Sequence, residues 1–195
     1  MLPIVLLTFV LSSESVAQPA SRLAVIANAP DFALKTQDGK NLSRSELNGK
    51  IVLVSFIFTT CNGTCPATTH RLASIQQELK ARGLEKDSHV QLISITLDPA
   101  RDKPDTLKGY MRLYDLDPSN WSFLTGTVVQ VNKVLEGWGM WSRPAANGQL
   151  DHPSRVYLMD GLGRIREIYN LTFLKPGWVC EDIELLLKEG AQARP

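Results

Sequence analysis

Ile51-Val52-Leu53-Val54-Ser55-Phe56-Ile57-Phe58-Thr59-Thr60-Cys61-Asn62-Gly63-Thr64-Cys65-Pro66 is the stretch on which the fold turns. Its first eight residues are almost all apolar, the pattern of a central strand covered on both faces. A small polar loop and two cysteines follow at once. In α/β folds a strand end feeding a helix start is where reactive groups are presented. A helix N-terminus offers free N–H groups and a positive dipole end, which favour thiolate over thiol. On a helix, positions i and i+4 share a face, about 6 Å apart along the axis. Two sulfurs so placed can close a disulfide or grip a soft metal ion.

Outward from this stretch the chain alternates. Asp38-Gly39 marks a turn, so Ala33-Leu34 and Asn41-Leu42 read as a short N-terminal hairpin. Ser43 with Glu46 fits a capping box, and Gly49 stops that turn. Leu72, Ile75 and Leu79 recur at helical spacing between Cys65 and Leu84. A strand over 90–97, a helix opened by Pro104, a strand at 121–124 and a helix over 128–138 come next. Residues 155–159 and 165–169 flank Asp160-Gly161-Leu162-Gly163 as a second hairpin, and 178–187 closes as a helix. The order predicts one α/β domain, a mixed sheet with helices on both faces, parallel first and antiparallel last.

Composition narrows the function. The 195 residues are 44% hydrophobic, enough for one proper core. Twenty-one basic residues against 20 acidic give a net charge of +1 with no basic run, which argues against a nucleic-acid partner. Three cysteines are too few for a disulfide scaffold, and Cys180 in its helical setting reads as a small buried residue.

The N-terminal apolar run from Leu2 to Leu11, ending in Ser15-Val16-Ala17, resembles a secretory signal peptide over residues 1–17. No Lys or Arg precedes the run, and its length is short of the ~20 residues of a transmembrane span. An uncleaved N-terminal anchor is the lesser alternative. Residues 18–27 read as a polar linker, 28–190 as the domain and 191–195 as a tail. Export places the thiol pair in the periplasm or on the outer face of the cytoplasmic membrane, where its redox state must be managed.

Of three histidines, His70 lies about 140° round the helix from Cys65, and His89 begins a strand in a polar turn; both read as surface residues. His152 stands apart in Asp151-His152-Pro153, at the entry to the hairpin strand. Asp98-Pro99 reads as a turn, with Asp102 capping the approach to the helix at Pro104. Met140 offers a soft thioether, but packing of Trp138, Met140 and Trp141 beneath their loop is the favoured reading.

Several motifs in order resemble the Sco/SenC family. They are Ala29-Pro30-Asp31-Phe32, Gly49 to Val54, Phe58-Thr59-Thr60-Cys61 with Cys65-Pro66, Thr96 to Asp102, Trp121 to Gly126, and Asp151-His152. The similarity covers about residues 28–188. It implies a thioredoxin-like fold with copper, Cu(I) or Cu(II), held by Cys61, Cys65 and His152. It also implies a redox-active cysteine pair and a role as a metallochaperone, the recipient being the copper subunit of cytochrome c oxidase or another cuproprotein. Asp98 and Asp102 resemble acidic residues suspected of a role near the family's metal.

Two departures stand out: Asn62-Gly63-Thr64 lacks the Pro-Asp common between the family's cysteines, and Pro153 follows His152 where Ser or Thr is usual. The cis-proline facing the cysteine pair in thioredoxins suggests a cis His152–Pro153 bond as a hypothesis, set against the low general rate of cis X–Pro bonds; the sequence leaves cis and trans both open. The alternative function is a thiol–disulfide oxidoreductase acting on a disulfide-bearing partner, with Cys61 attacking and Cys65 resolving. A peroxidase ranks last, because no proline stands ahead of the threonine that leads into Cys61.

Overall fold

The computed structural model describes residues 22–85, 89–145 and 148–192. The expected signal peptide falls outside them, as does residue 193 onward of the expected tail.

The order is β1 (Ala27–Asn28), β2 (Ala33–Thr36), β3 (Asn41–Ser43), a 3-10 turn (Arg44–Leu47), β4 (Ile51–Ile57), α1 (Thr64–Ala81), β5 (Val90–Thr96) and α2 (Pro104–Leu113). Then come β6 (Trp121–Thr125), α3 (Val128–Gly137), β7 (Arg143–Pro144), β8 (Leu150–Asp151), β9 (Val156–Met159), β10 (Arg164–Tyr169) and α4 (Pro176–Gln192). Eight strands form one sheet in the order β1-β10-β9-β4-β5-β6-β2-β3, and β7 pairs with β8 apart from it. Strands β4, β5 and β6 run parallel, while β9 lies antiparallel on the other side of β4. This is the thioredoxin-like α/β arrangement expected, with the N-terminal hairpin β2–β3 appended beyond β6.

All seven residues of β4 are buried, as its unbroken apolar run requires of a central strand. Alternation along the strands sorts the two faces. On one face the Ser55 and Ser94 hydroxyls meet at 2.8 Å, and the Trp121 indole N–H donates to Ser94 (2.9 Å). Those buried polar groups are therefore satisfied. Helices α1 and α2 cover this face: the Thr69 and Tyr110 hydroxyls are 2.8 Å apart, and Tyr110 packs on Phe123. On the opposite face Phe56, Tyr157 and Trp138, the last just beyond α3, form a cluster of tilted and edge-on rings.

The hairpin turn at Gly39 adopts φ +75°, the left-handed region its Asp-Gly signal calls for. Glu46 accepts from the Ser43 N–H (2.7 Å), the carboxylate half of the expected capping box. Two boundaries move. Leu23 is buried and Ala27 pairs with Ile165, so the fold takes in part of the stretch read as a linker. At the other end α4 continues to Gln192, into the expected tail. The β7–β8 hairpin, two residues a side, was not anticipated from the sequence.

Candidate metal and thiol site

Strand pairing assembles the site. In the β4–β9 register Ser55 faces Val156. His152 lies as many residues before Val156 as Thr59 lies after Ser55, so an antiparallel partner delivers the ring beside the end of β4. The His152 ring stands edge-on to Phe58, centroids 5.7 Å apart. Its Nε2 comes within 3.6 Å of Cys65 Sγ. Cys61, Cys65 and His152 each offer one ligand atom, and these atoms all lie within 4.8 Å of one another. All three candidate residues from the sequence meet at one point.

The route differs from the helical argument. Helix α1 starts at Thr64, so Cys65 is on the helix but Cys61 is in the preceding turn. That turn is closed by the Cys61 N–H on the Phe58 carbonyl (3.2 Å), and the Gly63 N–H points at Cys61 Sγ (3.4 Å). Cys65 is buried and Cys61 half-exposed; both carry free thiols. Burial, followed by the adjoining Cys61 thiol, pushes the Cys65 thiol well above its ordinary range.

The His152 Nδ1 lies 2.9 Å from the Pro153 carbonyl, which can only accept. Nδ1 is therefore the donor, which in the neutral ring leaves the Nε2 lone pair facing the sulfurs. Two sulfurs and one imidazole nitrogen form a soft donor set suited to Cu(I) and, with the nitrogen, able to hold Cu(II). The residues fit copper.

Every described peptide bond is trans, which rejects the cis hypothesis for His152–Pro153. The His152 ring stands beside the cysteines, and the thioredoxin analogy does not carry over to the bond. Asp102 also departs from expectation. The N-cap of α2 is Lys103, with no side-chain cap. The Asp102 carboxylate instead points back to β4 and β5. It accepts from the Thr59 N–H (3.2 Å), the Thr59 hydroxyl (2.5 Å) and the Thr96 hydroxyl (2.6 Å). It thus ties down the strand end that leads into Cys61. Desolvation raises its carboxyl above the usual range, against the lowering effect of those hydrogen bonds.

Asp98 sits in the expected turn and pairs with Arg101. His70 is exposed with its ring against Tyr114, and His89 is half-buried at the head of β5; neither joins the site. Trp138 and Met140 are core residues, whereas Trp141 is 41% exposed under the Arg143 guanidinium. Cys180 is fully buried. Gln149 was missed altogether. Its Oε1 accepts from the Asn62 N–H (3.1 Å) and its Nε2 donates to the Thr60 carbonyl (3.1 Å). Nothing about a lone glutamine in a loop marks it in a single sequence.

A thioredoxin-like sheet that gathers two cysteines and a histidine at one edge defines a class of thiol and soft-metal proteins. The chain belongs to the SCO1/SenC family, whose model matches residues 22–188. The SCO1 protein homolog of Bacillus subtilis is 34% identical over 142 residues, 71% of this chain and 72% of that protein. Bradyrhizobium japonicum ScoI, solved with copper bound, is 30% identical with a TM-score of 0.69, over 82% of this chain and 99% of that one. BsSco is described as having a disulfide switch and as a member of the Sco family of cytochrome c oxidase assembly proteins. It is 30% identical with a TM-score of 0.72, over 88% of this chain and 98% of that one.

Proposed function

We propose that this chain is an exported copper metallochaperone that holds the ion with Cys61, Cys65 and His152 and passes it to a cuproprotein such as the copper subunit of cytochrome c oxidase. One observation carries the reading: two sulfurs four positions apart and an imidazole nitrogen 87 positions beyond the second lie within 4.8 Å of one another. Copper is the cargo. Three protein ligands leave room for an incoming ligand from the recipient, which is what transfer needs. The copper-bound ScoI relative supports the choice of metal. The apolar leader supports placement in the periplasm or on the outer face of the cytoplasmic membrane, and no described helix is long and apolar enough to cross a membrane.

The proximity of Cys61 and Cys65 supports a second activity. Exchange with a partner's disulfide forms one disulfide here and leaves two thiols on the partner, moving two electrons and two protons. The same step removes both sulfur ligands and so links redox state to release. The disulfide switch described for BsSco favours this coupling.

Titration of the reduced domain with copper, repeated on His152→Ala, separates the readings. A chaperone loses copper affinity in the variant. Equal, weak copper binding with undiminished disulfide reduction in both proteins selects the oxidoreductase instead.

A further inference from the structure

The turn holding Cys61 is bracketed by one side chain. The Gln149 amide bonds the backbone on either side of the cysteine, accepting from the Asn62 N–H and donating to the Thr60 carbonyl, both at 3.1 Å. A planar amide with one acceptor and one donor imitates a strand neighbour, so two bonds fix both the position and the orientation of the turn. Gln149 itself stands on a braced platform. Its carbonyl accepts from the Ala145 N–H (2.9 Å), closing the β7–β8 turn, and β8 runs directly into His152. The platform is anchored to the loop after β5: Arg101, paired with Asp98, donates to the Gly148 carbonyl (3.2 Å), and the Ser142 hydroxyl donates to the Leu97 carbonyl (3.3 Å).

The consequence follows from where the ligands reside. Cys65 is set by α1 and needs no help. Cys61 sits in a half-exposed turn and His152 in the segment leading out of β8. These are the two ligands not held by a helix or a long strand, and Gln149 joins their two segments across 87 positions of chain.

We infer that Gln149 is a positioning residue for the metal site, locking the Cys61 turn to the His152 segment so that the sulfur and the imidazole are presented together. This rests on the copper reading, because only a shared ion needs both groups held in one geometry. Groups that orient metal ligands typically change affinity or loss rates by about 10–100-fold when removed.

The test uses Gln149→Ala, Gln149→Glu and His152→Ala, with Gln149→Ala/His152→Ala as the double variant. In the metal-free reduced protein, amide exchange at Asn62 is expected to speed up at least about tenfold in Gln149→Ala. Gln149→Glu keeps an acceptor for Asn62 but sets an oxygen against the Thr60 carbonyl, and should fall between. Copper loss to an excess of chelator should be about tenfold faster in Gln149→Ala than in the wild type, and no faster in the double variant than in His152→Ala alone. A clamp serving only stability would not show that dependence on His152. Unchanged Asn62 exchange, or the same acceleration of copper loss with and without His152, overturns the inference. If the wild type itself releases copper as fast as His152→Ala, the copper reading fails, and the positioning role for a metal falls with it even where Asn62 exchange shows the clamp.

Discussion

Cys65 Sγ and His152 Nε2 lie 3.6 Å apart although 87 positions separate them in the chain. The contact exists because β9 lies antiparallel against β4, so that the end of one strand meets the beginning of the other. His152 is half-buried and contributes little to the core. His152→Ala is therefore expected to change unfolding free energy by less than about 1 kcal/mol. Copper affinity should fall at least about tenfold, since even groups that merely orient a ligand carry that much. Paired denaturation and copper titrations check the split. A large stability loss would make the residue structural.

The two thiols should differ in reactivity. Cys61 is half-exposed, whereas Cys65 is 1% exposed with its thiol pushed up by burial. Alkylation of the reduced protein near neutral pH, followed by mass spectrometry, should label Cys61 at least roughly tenfold faster. This order assigns attack to Cys61 and resolution to Cys65; the reverse order would refute that assignment.

Asp102 gathers three donors onto two carboxylate oxygens beneath the cysteine turn. Asp102→Asn turns an amide N–H₂ toward some of those donors and should destabilise the fold by about 1–3 kcal/mol. Because burial raises the carboxyl, its ionised form is costly in the folded protein. The wild type should therefore lose stability relative to the variant as pH rises above the ordinary carboxylate range. Urea midpoints across acidic pH would show this narrowing gap.

The opposite pH dependence belongs to Asp160. Burial alone would raise its carboxyl, but hydrogen bonds and charges from Arg164 and Arg166 prevail and hold it low. Arg166 is nearly buried and lies 2.9 Å from Asp160. The ionised carboxylate thus stabilises the fold at neutral pH, and the contribution is lost as pH falls below roughly 4 toward the lower folded value. Asp160→Ala should cost about 1–3 kcal/mol at pH 7, because the carboxylate's bonds from Arg164 and Arg166 are lost while Arg166 keeps Glu189 at 2.9 Å, and less in acid. A pH-independent difference in melting would contradict this account.

What could be read from the chain was whatever depends on near neighbours. The apolar run at 51–58 is a buried strand wherever it lies, since alternation is absent only when both faces are covered. Asp38-Gly39 turns, and Leu72, Ile75 and Leu79 line a helix, because local sterics and period decide both. The cysteine pair announced chemistry by its place between strand and helix, and the family's ordered motifs pointed to His152. The helix geometry inferred for both cysteines was only half right, because chain direction changes at Asn62-Gly63 before α1 begins.

Tertiary structure alone decided which distant groups touch. Strand order set β9 rather than another strand beside β4, and with it the imidazole beside the sulfurs. It turned Asp102 away from the helix it precedes and onto Thr59 and Thr96, and it brought Gln149 to the Cys61 turn. Local sequence determines backbone conformation through sterics and periodicity. Contacts between segments 40 to 90 residues apart depend on sheet order and register, which only the assembled core selects.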